Sequence, residues 1–165
     1  MKIGLILPLL ILILVSGCTQ SQETLQLTEE DNKLLMTTEE LNSFGFEFEN
    51  EPDISKWNEL GTIYYKSIFF NDTEQFDYIL NYNPGGSKAG FDEMNSTLKS
   101  ILTIHLEEPV SIGDEAIYYS ATTSSGDRIN DLLVRKDNYY FLIGSLTASK
   151  EKLIEIAQKI ITKLQ

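Results

Sequence analysis

One residue type narrows what this chain can fold into before any pattern is read: it holds a single cysteine, Cys18. No intrachain disulfide can form, so the folded part must be held by a hydrophobic core. The position of that cysteine is equally constraining. Met1 and Lys2 make a short positive start, Ile3 to Val15 is an uncharged run of thirteen residues, and Ser16 and Gly17 are small. Crossing the hydrocarbon core takes about 20 apolar residues, so this run is too short for a comfortable permanent span. A charged start, a short apolar run and a small-residue exit are the layout of an export signal, expected here over residues 1–17. A core helix apolar on every face would be out of place at an extreme terminus.

Val15-Ser16-Gly17-Cys18 resembles a lipobox, the motif of bacterial and some archaeal lipoproteins. The resemblance implies that the Cys18 thiol is alkylated with a diacylglyceryl group or an archaeal ether lipid. It also implies cleavage between Gly17 and Cys18. At about 0.8 kcal/mol per buried methylene, two long chains hold far more strongly than one, which makes the anchoring lasting. From Cys18 onward twelve bases face twenty-five acids, a side-chain charge of −13. Nucleic acid is therefore not an expected partner, because its phosphates call for Lys and Arg patches. Anionic lipid headgroups would repel the chain. The expected partner is membrane lipid through Cys18, on the extracytoplasmic face of the cell membrane. Another envelope protein and an apolar ligand are candidate second partners.

Residues 18–34 are polar, with a cluster of acids and few aliphatic side chains, and read as a flexible tether. A coil of about 15 residues spans roughly 20 Å, beyond the Debye length of about 8 Å at physiological salt. Residues 35–165 make one domain's worth of chain, enough to bury a core without metal or disulfides.

Within that domain Thr37 followed by Glu40, with Gly45 beyond, predicts a short capped helix. The segments 61–70 and 76–83 are rich in β-branched and aromatic residues, and "NDTEQ" between them supplies turn chemistry for a hairpin. After the break "NPGGS", Phe91, Met94, Leu98, Ile101 and Leu102 recur at helical spacing. Three strands follow over 114–123, 127–136 and 138–146, with turns at "SSGD" and at Asp137-Asn138. A last helix, capped by Ser149, carries Leu153, Ile156, Ala157, Ile160, Ile161 and Leu164 as one stripe. Strands joined by tight turns are antiparallel. The expected fold is α+β: an antiparallel sheet of about five or six strands packed with helices, closed by a C-terminal amphipathic helix.

The residues of catalysis are sparse. The one histidine is His105, and there is no nucleophile elbow and no phosphate loop. No catalytic residue, metal or cofactor is expected, and the chain reads as a non-enzyme. Asp72, Glu74 and Asp77, and again Asp127, Asn130 and Asp131, cluster without the order of an EF-hand loop and read as solvated acidic turns. Asp114 and Glu115 read as the start of a strand. Asn71 and Asn95 head N-x-S/T triplets, which chance also supplies.

One pattern rises above background. Tyr64-Tyr65, Tyr118-Tyr119 and Tyr139-Tyr140 lie on strands, and neighbouring strand residues point to opposite faces. Each doublet sends a ring to each side of the sheet. Helices on both faces make these rings core; an open face makes them a candidate aromatic binding surface.

"IGDEA", "LVRKDNYYFLIG" and "AQKIITKL" in residues 110–165 resemble a pattern in small secreted lipoproteins of archaea and bacteria, some of them similar to the PsbP/Mog1-like α+β sandwich. That resemblance implies a fold and a non-enzymatic extracytoplasmic role, with no site residues to carry over. The expectation is a lipid-anchored binding or accessory module. The alternatives are a carrier holding an apolar ligand between sheet and helices, and a hydrolase using His105.

Overall fold

The computed structural model describes residues 23–165. The expected signal segment over residues 1–17, with Gly17, and Cys18 lie outside the described residues. Eight strands form one antiparallel sheet in the order β1-β2-β3-β4-β8-β7-β6-β5. They are β1 (Glu23–Thr24), β2 (Asp53–Glu59), β3 (Thr62–Phe70), β4 (Gln75–Tyr82), β5 (Thr103–Pro109), β6 (Glu115–Thr122), β7 (Arg128–Lys136) and β8 (Tyr139–Ser145). The helices are α1 (Glu29–Leu34), α2 (Thr38–Ser43), α3 (Lys88–Ile101) and α4 (Lys150–Lys163). The α+β class and the antiparallel pairing are as expected. The sheet is larger than five or six strands, because β1, β2 and β5 add to the five legible ones.

The local chemistry follows the sequence where side chains choose a partner. Thr37 and Glu40 close a reciprocal capping box on α2, and Ser149 caps α4 through the Lys152 amide. The β3–β4 register puts Phe70 opposite Gln75 across the "NDTE" turn. There the Asn71 side chain accepts from the Thr73 and Glu74 amides at 2.9 and 2.8 Å.

Both faces of the sheet are covered, but unequally. On the first face α4 lays Leu153, Ile156, Ala157 and Ile160 over Tyr78, Leu132, Val134, Phe141 and Ile143. Leu35, Met36 and Leu41 extend the same core, and Phe46 and Phe48 close it against Phe69 and Phe76. On the second face α3 places Phe91, Met94 and Leu98 against Tyr119, Leu133, Tyr140 and Leu142. None of the second-face core residues comes from β2 or β3. That half of the second face has no helix over it among the described residues.

The residues expected as the distal half of a tether belong instead to the fold. Leu25 donates its amide to Lys56 O at 3.0 Å, and Thr28 and Asp31 form a second reciprocal capping box, on α1. Asp31 is 6% exposed and accepts from Lys56 Nζ and from Tyr65 Oη, each at 2.7 Å. An acid that finds a lysine and a tyrosine on a neighbouring sheet orders the segment that carries it, which composition alone does not reveal. Four residues, 19–22, are left between Cys18 and the first described strand.

A close approach fixes α3. A Cβ on Gly90 would lie 2.5–2.7 Å from atoms of the buried Tyr140 ring. Alanine in a helix gains up to about 1 kcal/mol over glycine, but overpacking costs about 1–3 kcal/mol. Gly90→Ala is expected to lower stability by about 1 kcal/mol or more, read as a lower urea midpoint at unchanged slope. A rise in the midpoint would refute the contact.

Candidate functional site

The tyrosine doublets divide as the pleat requires, and most of their rings are core. Tyr65 and Tyr118 enter the first-face core, while Tyr119 and Tyr140 enter the second. Their hydroxyls are engaged: Tyr65 on Asp31, Tyr118 on Asn130 Oδ1 at 2.8 Å, and Tyr119 on Asn95 Oδ1 at 2.5 Å. Tyr139 is half-buried on the first face beside Tyr82, with ring centroids 5.0 Å apart. The six rings therefore form no common surface. Of the set, Tyr64 alone lies on the open half of the second face.

There the sequence offers a different grouping. Trp57 of β2 pairs in register with Tyr64 of β3, and their rings stack at 5.2 Å and 5°. Lys66, Ile68 and Phe70 follow Tyr64 along the same face, the first two half-buried and Phe70 55% exposed. Asp77, diagonal to Lys66 on β4, completes the strip. Burial pulls the Lys66 ammonium below its ordinary range, with Asp77 and Asp53 opposing that shift.

Behind the strip lies a carboxyl pair. Asp77 and Asp131 stand in register on either side of Gly144, all three on the second face. Asp131 is 1% exposed, and its Oδ2 has no hydrogen-bond partner. Burial first, and the charge of Asp77 second, push its carboxyl up to about 8. Asp77 is partly exposed as a residue, yet its Oδ1 is sealed and unpartnered while Oδ2 accepts from the Gln75 amide at 2.9 Å. Its carboxyl too is raised by burial, against the pull of Lys66. A Cβ on Gly144 would come within 2.4 Å of Asp131 Oδ1, so the missing side chain makes room for the acid. Burial and the neighbouring Asp77 thus favour the protonated form of Asp131, which is able to donate a hydrogen bond. Asp131 is too enclosed to touch a substrate. The strip in front of it offers aromatic faces, the Lys66 ammonium and the carboxyl groups of Asp77 and Asp53, which suits recognition.

Of the acids read as solvated turns, Asp72 is exposed in the β3–β4 turn and Asp127 lies in the β6–β7 turn, but Glu74 is drawn into the fold. Glu74 is buried and accepts from Ser145 Oγ at 3.0 Å, from the Leu146 amide at 3.1 Å and from Thr147 Oγ1. Asn130 donates to Ala148 O at 3.0 Å. Asp114 accepts the Asp137 amide at 2.8 Å, which with Lys136 and Arg135 holds its carboxyl below the usual range. No group of three or more histidine, cysteine or carboxylate side chains suited to a metal occurs among the described residues. His105 is exposed on the edge strand β5, with Nε2 2.6 Å from Thr122 Oγ1. The Asn71 amide donates to Glu47 O at 2.9 Å and Asn95 receives Tyr119, so both sequon side chains have partners in the fold. A separate acidic cleft of about 310 Å³ lies at the β3–β4 end, lined by Glu47, Glu49, Asn50, Phe70, Asn71, Asp72 and Thr73.

No protein-family model, curated protein or solved structure matches the chain.

Proposed function

We propose that the chain is an exported lipoprotein whose α+β domain acts at the extracytoplasmic face of the membrane as a non-enzymatic binding or accessory module. The observation that carries this reading is Val15-Ser16-Gly17-Cys18 directly behind the thirteen-residue apolar run. The resemblance of residues 110–165 to small secreted lipoproteins supports the same placement. The binding face is the open strip of Trp57, Tyr64, Lys66, Ile68 and Asp77, and its partner is an envelope protein that meets both rings and charge. The carrier reading is opposed by the filling of both sheet–helix interfaces with the chain's own side chains, many of them wholly buried. The hydrolase reading has only the exposed His105–Thr122 pair behind it. Metabolic labelling with a radiolabelled lipid precursor tests the anchor: wild type is expected to take up label and Cys18→Ser to take up none. Equal labelling of the two would overturn the lipoprotein reading.

A further inference from the structure

The end of the sheet at which the chain enters the fold carries a residue that obeys neither folding nor solubility. Leu60 is 86% exposed, the most exposed of the large hydrophobic side chains. It occupies the first position of the two-residue β2–β3 turn, between the paired Glu59 and Thr62, with φ +50, followed by Gly61 at φ +84. Two positive φ values make a type I′ turn, where asparagine or glycine is at home. A bulky residue there is strained. A lone exposed leucine is ordinary, but one that also strains its backbone breaks two local rules at once. Such positions concentrate at functional sites.

The path of the chain says what faces it. In β1, Thr24 lies opposite Trp57 and Glu23 opposite Asn58. From Thr24 to Glu23 the strand therefore points along β2 towards Leu60. Five residue steps separate Glu23 from Cys18, a reach of at most about 17 Å. Charge favours the same orientation. Glu47, Glu49 and Asp72 line the cleft at the opposite end of β3. At the Leu60 end Asp114 is matched by Arg135 and Lys136 and Glu115 by Lys88, with Glu59 the acid beside the turn.

We infer that the β2–β3 end of the sheet rests on the bilayer that holds the Cys18 lipid, with Leu60 inserted among the headgroups and Trp57 at the interface. The inference builds on the lipoprotein reading. The surface is one of zwitterionic headgroups, because the chain's excess of acid disfavours an anionic one. Tryptophan at headgroup level is the usual interfacial anchor. The open strip then stands upright from the membrane, Trp57 lowest and Phe70 farthest out.

Two singular residues make the test clean, since Cys18 is the only thiol and Trp57 the only tryptophan. The mature chain, Cys18 to Gln165, is coupled through Cys18 to maleimide-bearing lipid in phosphatidylcholine vesicles. Part of the lipid carries a nitroxide on its headgroup. Trp57 fluorescence is expected to fall at least twofold relative to uncoupled protein. Leu60→Asn, which suits the turn and should fold at least as well, is expected to recover half or more of that loss. Equal fluorescence of coupled and uncoupled protein would overturn the inference, as would quenching that ignores Leu60→Asn. A Leu60-dependent dimer of unquenched protein would also overturn it and assign the leucine to a second copy. Because the coupling is chemical, none of these outcomes depends on whether cells lipidate Cys18, which the labelling experiment decides.

Discussion

Replacing Asp31 by alanine is expected to lower the stability of the domain by about 4 kcal/mol and to release residues 25–34 from the sheet. The size follows from what the carboxylate leaves behind. Lys56 is a β2 residue pointing to the first face, and its side chain is 10% exposed in the pair with Asp31. Tyr65 is 4% exposed and spends its hydroxyl on the same acid. Without Asp31 an ammonium and a phenol stay buried with no acceptor, the costly way to break an enclosed ion pair. Burial alone would raise the Asp31 carboxyl, but Lys56, Tyr65 and Thr28 outweigh it and hold the group well below the usual range. A depressed carboxylate contributes stability that is complete above its unfolded value and lost as pH falls. The difference between wild type and Asp31→Ala is thus expected at pH 7 and to shrink below about pH 4. Urea unfolding measures the energy, and hydrogen exchange over 25–34 measures the release. A variant within about 1 kcal/mol of wild type, in the range of a surface pair, would refute the latch. The functional consequence is geometric. With α1 fastened, Thr24 and Leu34 are both held to the fold; with it free, residues 25–34 become a loose stretch between β1 and the rest of the domain.

That latch also marks where the sequence stops being legible. Thr28 and Asp31 stand at the same spacing as Thr37 and Glu40, yet the second pair was expected as a cap and the first was absorbed into an acidic, polar stretch. What distinguishes them is Lys56, on a strand that gives no signal of its own. β2 reads "DISKWNE" and β5 "TIHLEEP", and neither alternates apolar with polar: β5 is an edge strand, β2 is flanked outside only by the two-residue β1, and a strand with one or no buried face need not alternate. The central strands and the α3 and α4 stripes are readable because every second or every third-to-fourth residue meets a core. The tyrosine doublets show the same boundary. Parity assigns Tyr64 and Tyr140 to one face and Tyr65 and Tyr139 to the other, but which half of a face a helix covers depends on where α3 lands. Trp57 joins the candidate site only through its register with Tyr64, a pairing no local pattern announces. Asp131 stands at the same parity as Ile129 and Leu133, so its burial was readable. Composition argued against it, since unpaired acids rarely lie inside.

The buried acid gives the second large effect, and its sign is unusual for a carboxylate. A group raised in the folded state binds its proton more tightly there than in the unfolded chain. Its stabilisation is therefore present below the unfolded value and is lost as pH rises towards the folded one. Asp131 moves from about 4 when unfolded to about 8 when folded, so the loss spans about pH 4–8. One proton costs about 1.4 kcal/mol per pH unit across that window. Asp31, Glu40, Asp114 and Glu151 are all shifted the other way and change their contributions only at more acid pH. Wild type is accordingly expected to be most stable near pH 5 and to weaken steadily towards pH 8. Asp131→Asn keeps the shape of the protonated acid and cannot ionise in either state. It is expected to flatten the slope and to exceed wild type by about 4 kcal/mol at pH 7, the two converging towards pH 4. Urea unfolding at pH 5, 6, 7 and 8 decides the matter: parallel slopes for the two proteins would show that Asp131 is not held protonated. If the slopes differ, a protonated Asp131 lies behind the strip in which Lys66 stands near Asp77 and Asp53. A partner docking there then meets both signs of charge on an aromatic floor, and ionising Asp131 behind it tips that balance.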